Sequence, residues 1–251
     1  ILPPMSQQDI LETSKLYSVA NLLDQESLIH KRPFREIHLS ATKIALIGGG
    51  AKIRPGEISL AHNGVLFLDE ITEFPRQHLE NLRQPLQERF INLSRANYNC
   101  KLPTNFTLVA TMNPCPCGKL GKNNNCQCSL SQIKNYQAKL SGPIRDRIDI
   151  FIKLEKIKTE NLLKKHNLQD YETAKKKVEE AYKVQKRRYQ YYPHISRNSD
   201  LSSVTVRKFC CLEKANQDLL LSACEKLELS NRTQLRILKI SRTIADLDGS
   251  T

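Results

Sequence analysis

The stretch GVLFLDEITEF, residues 64–74, runs four apolar residues, Val65 to Leu68, directly into two adjacent carboxylates, Asp69 and Glu70. A short continuous apolar run reads as a strand covered on both faces, as in the parallel sheet of an α/β domain. In such sheets ligands sit at the carboxyl ends of the strands, which is where these acids fall. One carboxylate there suits a Mg²⁺ ion bridging nucleotide phosphates, and its neighbour suits orientation or deprotonation of an attacking water. The same pattern also closes ordinary strands, so the pair takes its meaning from what surrounds it.

Residues 6–23 read as a helix, with Ser6 as N-cap, Asp9 three residues later, and Ile10, Tyr17 and Leu23 among its apolar positions. The Gly-rich stretch IGGGAKIRPGE, 47–57, resembles a phosphate loop only in composition: Lys52 is followed by Ile53, and the G-x-x-x-x-G-K spacing is absent. It reads as a mobile loop or hairpin. Pro75 opens a helix whose apolar positions are Leu79, Leu82, Leu86 and Phe90. A hairpin, INLSRANYNCKLPTNF, and a second apolar strand, FTLVATMN, follow, and IDIFIKL at 148–154 reads as a further strand. This order is that of an α/β domain. Residues 160–247 hold helical patterns and no convincing strand, so the expected organisation is an α/β core over 1–156 and a smaller helical domain over 157–251.

The formal charge of +13 on 251 residues and the pI near 9.4 favour a polyanionic partner, nucleic acid being the commonest, with a basic surface serving solubility as the plainer reading. From Lys164 to Arg188 there are nine Lys or Arg against four Asp or Glu, and the tract ends in Tyr189, Tyr191 and Tyr192. It is either a solvated helix face or a phosphate-contacting one. No apolar run approaches a membrane span, and the first residues lack a basic and then apolar leader; a cytoplasmic location is expected.

Of eight cysteines, four lie in CPCGKLGKNNNCQC: Cys115, Cys117, Cys126 and Cys128. Two close pairs separated by a short polar loop can bring four thiolates around a tetrahedral Zn²⁺; free thiols or redox chemistry are the other readings. Cys100, Cys210, Cys211 and Cys224 show no such grouping and read as buried small side chains.

The strand FTLVATMN ends in Asn113, whose amide suits a γ-phosphate or the hydrolytic water, or else merely forms a turn before Pro114. SGPIRDRIDI places Arg145 and Arg147 around Asp146; Arg147 suits an arginine finger, or an ion pair with Asp146 or Asp149. In SNRTQLRILKISRTIADL, Arg232, Arg236 and Lys239 share one helical face that reaches either a phosphate or water.

The order Asp-Glu, Asn, Arg before a strand and Arg on a helix is that of Walker B, sensor 1, arginine finger and sensor 2 in AAA+ ATPases. More specifically, RPGEISLAHNGVLFLDEITEF, VATMNPCPCG, SGPIRDRIDI and RTIADL resemble the ComM/YifB family of magnesium-chelatase-like AAA+ proteins, over nearly the whole chain. The resemblance implies an AAA+ P-loop-type parallel sheet with a small all-α lid. It also implies a ring-forming, hexameric ATPase that uses ATP and Mg²⁺ and acts as a DNA helicase in branch migration during natural transformation. By position, Asp69 would ligate Mg²⁺, Glu70 activate water, Asn113 be sensor 1 and Arg147 the finger, with Arg232, or alternatively Arg236, as sensor 2. No G-x-x-x-x-G-K-[ST] run is present, whereas the family carries its P-loop just before the segment matching ILPPMSQQDI. The expectation is an amino-terminally truncated fragment that lacks the P-loop and the strand leading into it. The rival readings are a non-catalytic DNA- or partner-binding module with a structural zinc, and a magnesium-chelatase subunit. The CPCG…CQC insertion and the positive charge argue against the latter.

Overall fold

The structure, a computed structural model, describes residues 1–23, 27–50, 53–95, 98–121, 125–154 and 168–250. The chain divides into two units, Pro4–Ile148 and Asp149–Thr251 with the first three residues. The expected boundary at 156/157 lies outside the described residues.

The first unit begins with α1 (Gln7–Val19), closed at its start by a capping box: Asp9 N–H donates to Ser6 Oγ, and Ser6 N–H to the Asp9 carboxylate, both at 3.1 Å. The helix stops short of the expected 23, because Asn21 turns the chain through a left-handed conformation, φ 56°. Strand β1 (Phe34–Ile37) is followed by α2 (Lys43–Ile47) and by β2 (Gly48–Gly49), which pairs antiparallel with β3 (Arg54–Pro55). The Gly-rich stretch is thus a hairpin. Gly48 is required there, since at φ 102° a Cβ would run into the Arg54 carbonyl.

After α3 (Glu57–Leu60) comes β4 (Val65–Leu68), then α4 (Arg76–Glu80) and α5 (Arg83–Glu88). The single helix expected after Pro75 is broken in two. Pro85 has no N–H to offer the Asn81 carbonyl, and its ring would collide with that group in a continuous helix. Arg89, at φ 60°, then ends α5, so Phe90 belongs to a strand. β5 (Phe90–Arg95) and β6 (Tyr98–Pro103) form the expected hairpin, and β7 (Thr107–Ala110), α6 (Leu130–Ala138) and α7 (Gly142–Arg145) complete the unit.

Strands β1, β4 and β7 form a parallel sheet with β4 in the middle, Leu68 standing opposite Ile37 on one side and Ala110 on the other. One face of β4 is fully covered: Leu66 and Leu68 are buried with Ile37, Ile58, Ile71 and Ile144. The other face is more open, and Phe67 stacks there on an exposed Phe34 while Val109 is also exposed. The expected burial on both faces therefore holds for one. At its start β4 is anchored by a buried polar turn, His62–Asn63–Gly64. Arg32 donates to the Asn63 carbonyl at 2.6 Å, the Asn105 N–H donates to His62 Nδ1 at 3.0 Å, and a Cβ on Gly64 would strike the Pro33 backbone.

In the second unit, residues 149–154 form no strand, and Ile150, Phe151, Ile152 and Leu154 are exposed. An apolar run becomes a strand only with a ladder partner, and among the described residues none pairs with this segment. The unit is otherwise helical: α8 (Leu168–Arg188), α9 (Ser203–Phe209), α10 (Lys214–Lys226) and α11 (Asn231–Leu247). Its core gathers Tyr189, Leu201, Val206 and Cys210, with Phe209, Leu235 and Leu238 against them. Beside that core, the Asp246 carboxylate, 0% exposed, receives Arg188 in a fork at 2.5 and 2.9 Å, Arg242 at 2.8 Å and Asn198 at 2.9 Å. Burial raises the Asp246 pKa, but hydrogen bonds from Arg188, Asn198 and Arg242 outweigh it and hold the group down at about 2. Among the described residues no helix is long and apolar enough to cross a membrane. Cys210 and Cys224 are buried as expected, whereas Cys100 is half-buried. Cys211 is exposed, capping the Arg207 and Lys208 carbonyls at the end of α9 instead of filling a core.

Candidate functional site

Because β4 is the central strand, its carboxyl end presents Asp69 and Glu70 beside the end of β7, only one strand spacing away. The two strand ends are joined by Thr111. Its hydroxyl donates to Asp69 Oδ1 at 2.5 Å and accepts the Glu70 backbone N–H at 2.9 Å, and its carbonyl accepts the N–H of Ile71 at 2.9 Å. Held this way, Glu70 adopts a left-handed backbone, φ 50° and ψ 53°, which is costly for a residue with a side chain. Asn113 Nδ2 then donates to Glu70 Oε1 at 3.3 Å. Asp69, Glu70 and Asn113, three of the residues singled out from sequence, are therefore one constellation. Thr111 was not singled out; its only signal is its place two residues before Asn113. Asp69 and Glu70 also line a groove of about 350 Å³ with His38 and Ser40, beyond the end of β1.

The other candidates lie elsewhere. Arg147 donates to the Pro143 carbonyl at 2.5 Å and to Gln87 Oε1 in its own unit. Arg232 and Arg236 lie on α11 of the second unit. Arg236 pairs with Asp149 at 2.6 Å, Lys239 donates to the Ser199 carbonyl, and Arg232 is exposed.

Directly after Asn113 the chain enters the cysteine loop. The four Sγ atoms of Cys115, Cys117, Cys126 and Cys128 lie within 4.8 Å of one another. Three of the separations are 3.5, 3.6 and 3.6 Å. Four thiolates at the Zn–S distance define a tetrahedron with edges of about 3.8 Å, so this donor set fits Zn²⁺ closely. The loop folds back on the acid site: a Cβ on Gly118, at φ 69°, would sit 3.6 Å from Asn113 Oδ1, and Gln137 of α6 donates to the Pro114 carbonyl at 3.0 Å. The backbone N–H of Lys119 brings the Cys117 thiol down to about 6. Cys126 is pushed up to about 12: the Cys128 backbone N–H works to lower it, but burial and the neighbouring sulfurs prevail.

Against known families, the profile described as magnesium chelatase, subunit ChlI, matches residues 1–162, and that of the ChlI C-terminal region matches 169–251. The chain is 42% identical over 256 residues to the competence protein ComM of Haemophilus influenzae and 39% identical over 252 residues to YifB of Escherichia coli. The chain belongs to the ComM/YifB family of magnesium-chelatase-like AAA+ proteins. The matches take in 99% and 100% of this chain but 48% of each relative, so the chain spans about half the length of the curated relatives it matches. Its parallel sheet with helices and its carboxy-terminal helical region are the AAA+-like α/β fold with a lid that this ComM/YifB membership entails.

Proposed function

We propose that the chain is the nucleotide-responsive, DNA-acting part of an ATP-dependent motor, an α/β core over 1–156 with a helical lid over 157–251. The observation that supports it is the joining of Asp69, Glu70 and Asn113 through Thr111 at the carboxyl ends of two adjacent parallel strands. With ATP and Mg²⁺ bound, Asp69 would hold the metal, Glu70 would orient and deprotonate the attacking water, and Asn113 would hold Glu70 and contact the γ-phosphate without adding charge. Arg147 would act as a finger on the nucleotide of a neighbouring subunit in a hexameric ring, once released from Gln87. Arg232 is our choice for sensor 2, since Arg236 is engaged by Asp149. The name of the Haemophilus relative, a competence protein, supports a role in taking up or recombining DNA, as a cytoplasmic helicase or branch-migration motor. In this reading Zn²⁺ in the cysteine loop is structural: four thiolates fill the tetrahedral shell and leave no position for water.

A second reading, a DNA-binding module without turnover, is favoured by the formal charge of +13 together with the four-cysteine loop. One comparison separates the two. The 251-residue chain should not hydrolyse ATP at a measurable rate. A longer chain with a P-loop ahead of Ile1 should hydrolyse it, and Glu70→Gln in that chain should keep ATP binding while stopping turnover. Failure of the longer chain to hydrolyse ATP would favour the module, and equal loss of binding and turnover in Glu70→Gln would remove Glu70 from the water-activating role.

A further inference from the structure

The three tyrosines after the basic helix have different fates. Tyr189 and Tyr192 both pack edge-on against Phe209, with ring centroids 5.0 and 5.1 Å away. The Tyr189 hydroxyl donates to Asn198 Oδ1 at 2.7 Å, and the Tyr192 hydroxyl accepts from Lys208 Nζ at 2.6 Å. The tight turn in which the Tyr192 N–H meets the Tyr189 carbonyl sends the two residues between them, Gln190 and Tyr191, outward. Tyr191 is 83% exposed and makes no hydrogen bond or ring contact among the described residues. The ring is therefore open to a ligand that can stack on it.

Its surroundings are strongly positive. Residues 183–211 contain seven Lys or Arg and a single acid, Asp200, a net of +6 (7 − 1). Asp200 is turned inward, accepting the backbone N–H groups of Ser196 and Arg197 at 3.0 and 2.9 Å. Of the cations, Arg188 is spent on Asp246, while Lys186, Arg187, Arg207 and Lys208 stand exposed. The end of α8 and the end of α9 are brought together by Phe209 and by the Lys208–Tyr192 bond, so these four cations flank the turn that presents Tyr191.

We infer that this turn is a binding site for single-stranded nucleic acid, in which an unpaired base stacks on Tyr191 and the flanking phosphates meet Lys186, Arg187, Arg207 and Lys208. The inference rests on the polynucleotide part of the proposed function and adds where, and in which form, the strand is held. An exposed ring discriminates for single strands because in a duplex the base faces are already stacked on one another, whereas cations alone take either form.

The test measures binding of the whole chain to a fluorescein-labelled oligothymidine of about 20 nucleotides and to a duplex of the same length, across a salt series. Tyr191→Ala should weaken single-strand binding about fivefold or more at every salt concentration, leave duplex binding unchanged and leave the salt slope unchanged. Tyr191→Phe should bind as the parent does, because stacking needs the ring and not the hydroxyl. Arg187→Glu with Arg207→Glu should flatten the salt slope on both ligands. Circular dichroism of each variant should match the parent, since none of the three residues is in the core. Equal binding by the parent and Tyr191→Ala would overturn the site, as would a Tyr191→Phe loss matching that of alanine, or displacement of the oligonucleotide by polyglutamate at equal charge concentration. Failure of the parent to bind either oligonucleotide would instead remove the polynucleotide reading itself.

Discussion

The hydroxyl of Thr111 lies 2.5 Å from a carboxylate oxygen of Asp69. Through that contact, and through the Glu70 N–H that the same hydroxyl accepts, an uncharged residue of one strand fixes two acids of the next. Thr111→Val keeps the shape of the side chain and removes both bonds. Because the site is open to water, the expected cost is modest, about 1 kcal/mol, read as a lower urea midpoint at unchanged slope. Thr111→Ser should recover most of it, and an unchanged midpoint in the valine variant would mean that the acids are held by something else.

Much of this arrangement is legible in the sequence, and the boundary of legibility is physical. The Val65–Leu68 run, the Ser6–Asp9 capping box, the hairpin over 90–103 and the cysteine pairs are local patterns, so their period or spacing suffices. The helix after Pro75 misleads because apolar spacing continues through Leu82 to Leu86, whereas Pro85 interrupts the helical hydrogen bonds one turn before it, between Glu80 and Arg83. Residues 148–154 carry the composition of a strand, but a strand also needs a partner, which local sequence does not provide. Thr111 and His62 stay hidden for a related reason: their contacts with Glu70 and Asn105 span 41 and 43 residues and leave no periodic trace.

The cysteine loop should carry about one zinc per chain in protein purified without a metal-affinity tag, measured by elemental analysis. Cys117→Ser should lower that content and expose the loop to proteolysis. Metal-free protein with an ordered loop and four freely titratable thiols would contradict the assignment.

Asp246→Asn should be among the most damaging single changes in the helical unit. It leaves Arg188 and Arg242 facing a neutral amide in a buried place, at a cost of about 3 kcal/mol. The same group predicts acid behaviour. Its folded pKa, about 2, lies below the ordinary 3.8, so its stabilisation is complete above that ordinary value and fades as the pH falls through the folded one. The asparagine variant should lose this part of the acid transition, seen as a flatter stability–pH curve between those two values.

His62 acts in the same direction at higher pH. Burial lowers its pKa, and its Nδ1 must stay unprotonated to accept the Asn105 N–H. The unfolded chain therefore binds a proton before the folded one does. Stability should decline as the pH drops below the ordinary histidine value of 6.5 toward the depressed one. Thermal melts of His62→Gln should show less of this decline, and an identical pH profile would assign it to other groups.

The left-handed backbone at Glu70 has a consequence for how such a site persists. A residue with a Cβ in that conformation costs roughly 1–2 kcal/mol, and glycine, despite its own entropic cost of roughly 0.5–1 kcal/mol, or asparagine would occupy it more comfortably. Screening variants of this chain for heat resistance alone should therefore enrich glycine or asparagine at position 70, trading away the carboxylate. Retention of glutamate there is a choice that folding by itself does not make.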